Sequence, residues 1–192
     1  MGALKQPVTY TAAEYLALEQ TADFKSEFVD GYIYAMSGAS ENHNLVTLNI
    51  GSYLRNILRG QQSCRVFMSD MRLEVNAGQF YYYPDVMLTC EGKGDDPYHK
   101  RNPCLLVEVT SPSTKTVDYR EKLRHYLAIP SLRYYLIAAP DVRKVEYFQR
   151  NANGEWESGI LEENEILLID CSSLQCGLQL RDVYADMDVP ER

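Results

Sequence analysis

The stretch Cys104–Ser113, "CLLVEVTSPS", reads as a strand for the middle of a sheet, yet its fifth residue is Glu108, a carboxylate set among Leu105, Leu106, Val107 and Val109. Alternate side chains of a strand share a face, so Leu106, Glu108 and Thr110 point one way and Leu105, Val107 and Val109 the other. An ionised carboxylate on a core-facing side costs several kcal/mol unless it is paired or bound to a cation. The chain must therefore bring a compensating group to Glu108.

Upstream lies "FYYYPDVMLTC", Phe80–Cys90, a second strand interrupted by Pro84. A proline cannot donate to a ladder, so it marks an edge, a bulge or a place where the strand leaves its neighbour. Asp85 follows it directly. Sequential strands are neighbours roughly two-thirds of the time, so Asp85 and Glu108 are expected to converge on one oxygen-lined site. Two carboxylates and water suit Mg²⁺ or Mn²⁺, hard cations that take oxygen ligands. The cation would also remove the repulsion that otherwise protonates one acid. Downstream, "STKTVDYREKLRHYLAIP" steps helically until Pro130 stops it, and Asp118 and Lys122 share one face of that helix. The tight connection "SPSTKT" returns the helix over the end of the Glu108 strand and aims Lys122 at the same place. Glu27, in "KSEFVDG", would complete the ligand set or stabilise Lys122.

Elsewhere, Thr11 stands three residues before Glu14, the capping-box spacing, and predicts a helix over Ala12–Glu19. Asp30-Gly31 predicts a two-residue hairpin turn. Ser40 caps a long helix that closes at Gly60. "CRVFMSDMRLEV", Cys64–Val75, reads as one strand, with Asn76-Ala77-Gly78 as the turn after it. "LRYYLIAA" and "RKVEYFQR" are two further strands, and a last strand pair is expected around Trp156 and Ile166–Ile169. Helices before, between and after strands predict an α/β fold with a mixed sheet flanked by helices.

A chain of 192 residues, 45% hydrophobic and 24% charged, suits a single globular domain spanning residues 1–192. No apolar run approaches the ~20 residues of a membrane span, and the first ten residues lack a secretory core. The five cysteines form no zinc-like spacing, so reduced thiols and a cytoplasmic home are expected. A net charge of −8 opposes broad attraction to nucleic acid, which rests on Lys and Arg. Tyrosine is abundant, 15 residues against 5 phenylalanines.

The Glu of "SEFVDG", the His of "ENHN", the Pro-Asp of "YYYPDVML", the Glu of "LLVEVTSPST" and the Asp and Lys of "DYREKLRHY" together resemble the Uma-two family of putative restriction endonucleases, within the PD-(D/E)XK nuclease superfamily. The resemblance covers roughly residues 8–150. It implies a restriction-endonuclease-like mixed sheet flanked by helices, with a divalent metal held by acids where strands diverge. Carried over, Asp85 and Glu108 match the metal acids and Glu27 the acid of the N-terminal part. The sequence departs from the superfamily two residues after Glu108, where Thr110 stands in place of a lysine, and Lys122 on the next helix is its counterpart. The reaction implied is metal-assisted hydrolysis of DNA phosphodiester bonds, with Asp85, Glu108, Lys122 and Glu27 as catalytic residues.

The residues alone leave a plainer alternative open, in which Lys122 is a solvated helix charge paired with Asp118 and Glu27 an exposed strand residue. His43 caps or packs near the start of the long helix, and only its titration range speaks for a general acid. Tyr81, Tyr82 and Tyr83 straddle two sheet faces, and "HKR", His99–Arg101, is solvated surface. Two other functions fit the residues: a catalytically silent nuclease-fold binding module, and a metal-dependent hydrolase of small phosphates, for which the acidity is less awkward. Strands rich in Tyr and Val leave room for a homodimer.

Overall fold

Thr11 opens the first helix with a reciprocal cap, accepting from the Glu14 N–H at 3.2 Å while its own N–H donates to the Glu14 carboxylate at 2.7 Å. Helix α1 spans Ala12–Glu19, as the spacing predicts. The computed structural model describes residues 8–61, 63–92, 96–111, 118–172 and 174–191. Strands β1 (Ser26–Val29) and β2 (Tyr32–Ala35) pair antiparallel. Asp30 and Gly31 between them both take positive φ, +49° and +92°, the mirror-image turn that matches strand twist. Helix α2 (Glu41–Ile57) starts where Ser40 Oγ accepts from the His43 N–H at 3.2 Å.

The next stretch differs from the single strand expected over Cys64–Val75. It forms β3 (Arg65–Met68) and β4 (Arg72–Val75), which lie in different sheets. The stretch after it divides in the same way, into β5 (Phe80–Tyr82) and β6 (Val86–Thr89). β3 pairs with β6 and β4 with β5, so the two-stranded ribbon splits near its middle and contributes a pair to each sheet. The split falls at Ser69, whose φ is +49°, and at Pro84, which has no N–H to donate. The Ser69 N–H bonds the Asp85 carbonyl across the gap at 3.2 Å.

After β7 (His99–Lys100) and β8 (Pro103–Val109), residues 112–117 lie outside the described residues, and with them the expected connection "SPSTKT". The chain is then π-helical over Asp118–Lys122 and continues as α3 (Leu123–Leu127) before Pro130. β9 (Tyr134–Ala138), β10 (Val145–Arg150) and β11 (Trp156–Ile160) follow. The "NANG" turn, with Gly154 at φ +82°, folds β11 back onto β10. Strands do form around Trp156 and Ile166–Ile169, but contrary to expectation they do not pair with each other. Instead β12 (Leu167–Cys171) pairs with β13 (Leu174–Leu178), and α4 (Leu180–Val183) follows.

The larger sheet runs β11-β10-β9-β8-β6-β3 and the smaller β2-β1-β5-β4-β7. β8 is parallel to β9 and β4 to β7, the other pairs being antiparallel, so both sheets are mixed. Leu105, Val107 and Val109 of β8 pack with Val46, Ile50 and Leu54 of α2, while Leu106 packs with Tyr126, Tyr135 and Met87 on the opposite side. The alternation read from "CLLVEV" holds, and both faces of β8 are covered. Tyr81 and Tyr82 enter separate clusters, on opposite faces as expected.

Two expectations are corrected here. His99 and Lys100 are buried rather than solvated, because β7 closes the edge of β4. Four cysteines, expected as free thiols, are joined as Cys64–Cys90 and Cys104–Cys171, leaving Cys176 free. β3, β6, β8 and β12 end at one place and bring these sulfurs together, a proximity that spacing along the chain does not reveal. No described helix is long and apolar enough to cross a membrane.

Candidate active site

Asp85 stands where the ribbon splits. Because β6 is antiparallel to β8 with Val86 opposite Val107, the next step of the ladder sets Asp85 beside Glu108. The Asp85 carboxylate closes that step, accepting from the Val109 N–H through Oδ2 at 2.7 Å. The same oxygen lies 3.3 Å from His43 Nε2, carried by the first turn of α2. Burial works against a charged His43, but the hydrogen bond and charge of Asp85 outweigh it and raise the imidazole above its ordinary value.

Glu108 is 3% exposed and pays for its burial with partners. Its Oε1 accepts from Lys122 Nζ at 3.2 Å and from the Tyr126 hydroxyl at 2.8 Å. Lys122 reaches two further carboxylates, Glu27 Oε1 at 3.0 Å and Asp118 Oδ1 at 3.6 Å. Glu27 comes from the hairpin and is fixed by the Tyr83 N–H at 3.3 Å. Burial pushes the Glu108 carboxyl well above the usual range, with the Lys122 ammonium pulling it back and Asp118, Asp85 and Glu27 pushing the same way as burial. For Lys122 burial disfavours the charge, but Glu108, Glu27 and Asp118 together hold its pKa well above normal. The lysine is therefore an ammonium throughout the neutral range.

Glu27, Asp85, Glu108 and Lys122, singled out from the sequence, thus line one cavity of about 700 Å³, and His43 lines it with them. Lys122 is not the solvated helix charge of the plain reading, and Glu27 is only partly exposed. His43 is more than a cap, since its side chain faces Asp85. Sequence reasoning set Asp118 on one helix face with Lys122 without naming it among the site residues, and it missed Tyr126. The signal for both was the four-residue spacing on either side of Lys122, which places all three on one helix face.

A donor set of two carboxylates fits an ion that keeps most of its water. Asp85 and Glu108 offer only oxygen, and among the described residues no three or more His, Cys, Asp or Glu side chains are grouped to hold a metal by themselves. Mg²⁺ binds in this way, through one or two carboxylates and several waters, whereas a zinc site would need a fuller set of protein ligands.

A search of solved structures finds a crystal structure described as a putative nuclease belonging to DUF820 from Anabaena variabilis, with a TM-score of 0.73, 18% identity and coverage of 92% of this chain and 98% of that one. It shows the same restriction-endonuclease-like fold. Two proteins of Synechocystis are closer in sequence: uncharacterized protein sll1609, 38% identical over 149 residues (76% of this chain, 84% of that protein), and uncharacterized protein slr1290, 35% identical over 149 residues (74% and 75%). The Uma2 family model, described as putative restriction endonuclease, matches residues 12–183, beyond the segment whose motifs carried the resemblance. The chain belongs to the Uma2 family of putative restriction endonucleases.

Proposed function

We propose that this protein is a metal-dependent endonuclease that hydrolyses DNA phosphodiester bonds. The observation that carries the reading is the meeting of Asp85, Glu108 and Lys122 on one cavity at the point where the strands part. Asp85 and Glu108 would hold Mg²⁺ or Mn²⁺. Bound there, the metal supplies Lewis acidity toward a phosphoryl oxygen and lowers the pKa of a coordinated water. Lys122 presents a fixed positive charge to the same space, suited to the charge that develops on a phosphate in the transition state. Glu27 and Asp118 hold that ammonium in place, Tyr126 orients Glu108, and His43 orients Asp85.

The test incubates the purified protein with plasmid and oligonucleotide substrates plus Mg²⁺ or Mn²⁺, beside Asp85→Ala and Glu108→Ala. Cleavage by the parent and loss in both variants is expected. Cleavage surviving both substitutions rejects the assigned residues.

One observation favours a second reading, a silent nuclease-fold binding module: the Lys122 ammonium already compensates three of the acids without any metal. Calorimetric titration separates the two, because a silent module gives no heat with Mg²⁺ or Mn²⁺.

A further inference from the structure

The cavity that holds the acids has a wall that the hydrolytic reading does not use. In the β1–β2 hairpin, Glu27 lies directly across from Tyr34 and Val29 from Tyr32. Antiparallel partners project to the same side. The face that sends Glu27 to Lys122 therefore also carries two tyrosines, and Tyr34 lines the cavity while remaining 54% exposed. Met36, 37% exposed, continues the same rim. The Tyr34 ring stands half in water directly across from Glu27, itself a member of the acid cluster.

The charge of the wall narrows what could lie against it. The described lining contains four carboxylates, Glu27, Asp85, Glu108 and Glu121, and two lysines, but no arginine. Both lysines are engaged: Lys122 by three acids, and Lys25 by an ion pair with Asp70 and a hydrogen bond to the Ser69 carbonyl at 3.2 Å. A duplex is held largely by cations set along its two backbones, and the described lining offers no such track. A single strand is held differently. Each unpaired base has a free π-face, and stacking on an aromatic side chain adds to the backbone contacts an affinity that a paired base, its faces already stacked in the duplex, cannot draw on. Tyr81, Tyr82 and Tyr83 are all buried and cannot serve.

We propose that Tyr34 is a stacking platform for an unpaired nucleotide, so that the substrate enters as a single strand with one base on Tyr34 and the adjoining phosphodiester toward Asp85 and Glu108. This rests on the reading of the acid cluster as the phosphodiester end of the cavity. Tyr34 is a binding residue, and an aromatic ring, not a hydroxyl, is what the role needs.

The experiment measures binding apart from turnover. A short fluorescein-labelled strand, as DNA and as RNA, and the same DNA sequence as a blunt duplex are titrated with the full chain by fluorescence anisotropy, in Ca²⁺ and in EDTA. Wild type, Tyr34→Ala and Tyr34→Phe are compared. The single strand is expected to bind more tightly than the duplex. Tyr34→Ala should weaken that binding on the order of tenfold, and Tyr34→Phe should restore it. Exposed Tyr34 can be replaced without unfolding the core, and a thermal melt of each variant confirms this. Duplex binding as tight as single-strand binding, or a Tyr34→Ala variant equal to wild type, overturns the proposal. So does a Tyr34→Phe variant as weak as Tyr34→Ala, since the ring would then not be the determinant. Failures are separable from those of the hydrolytic reading: Tyr34-dependent single-strand binding without cleavage supports the platform and removes the hydrolase, whereas Tyr34-independent duplex cleavage does the reverse.

Discussion

Lys122 sets one ammonium against three carboxylates in a place that water hardly reaches. Removing one member of a buried pair leaves an uncompensated charge, so Lys122→Met should cost about 3–5 kcal/mol, read as a lowered midpoint in urea denaturation. Glu108→Gln should behave differently, abolishing turnover while keeping the melting temperature near that of wild type, because it withdraws a charge whose burial is expensive. A second titratable group reports on pH. His125 stacks on Phe80, its Nδ1 lies 2.6 Å from the Tyr82 hydroxyl, and burial, reinforced by the Arg124 charge, holds its pKa below the ordinary 6.5. A depressed imidazole contributes stability that is present above 6.5 and lost as pH falls through the folded value. Melting temperature should therefore fall as the solution is acidified below pH 6.5, and His125→Phe should flatten that slope even if it melts lower throughout. Equal slopes would contradict the assignment. At this scale Glu108 was legible because one charge interrupts an apolar alternation. Tyr126 was less so, because the four-residue spacing that sets it on the face of Lys122 does not say that its hydroxyl meets a buried acid.

The hairpin β1–β2 carries Glu27 and Tyr34 to the cavity, and its register depends on a turn with positive φ at both central residues. Gly31→Ala places a side chain at φ +92° and should destabilise the protein by about 1 kcal/mol. Chemical denaturation measures this, and an unchanged midpoint would mean the turn is not held in that form. Here the sequence signals were strong: Thr11 with Glu14, Asp30 with Gly31 and Ser40 each marked a boundary through a local hydrogen bond or dihedral need. The failure came at Cys64–Val75, where alternation continues across Ser69 although the strand changes sheets. Periodicity reports which face is buried and says nothing about which sheet does the burying. Pro84 marked the partner break, because a missing donor is visible in the sequence.

Across the whole molecule, the divergence of two sheets creates the site, and the mixed α/β class followed from element order alone. The cysteine pairs were beyond reach, since they join segments 26 and 67 residues apart with no spacing that marks them. Protein purified without reductant should show one titratable thiol after denaturation, that of Cys176, rising to five on reduction. Five thiols before reduction would show the pairs to be open. The account as a whole stands on a shared cation between Asp85 and Glu108. Anomalous diffraction from a crystal soaked in Mn²⁺ tests it most directly. A peak within about 2.0–2.6 Å of oxygens from both carboxylates is predicted. Full soaking with no peak there, or a peak bound by other residues, would contradict it.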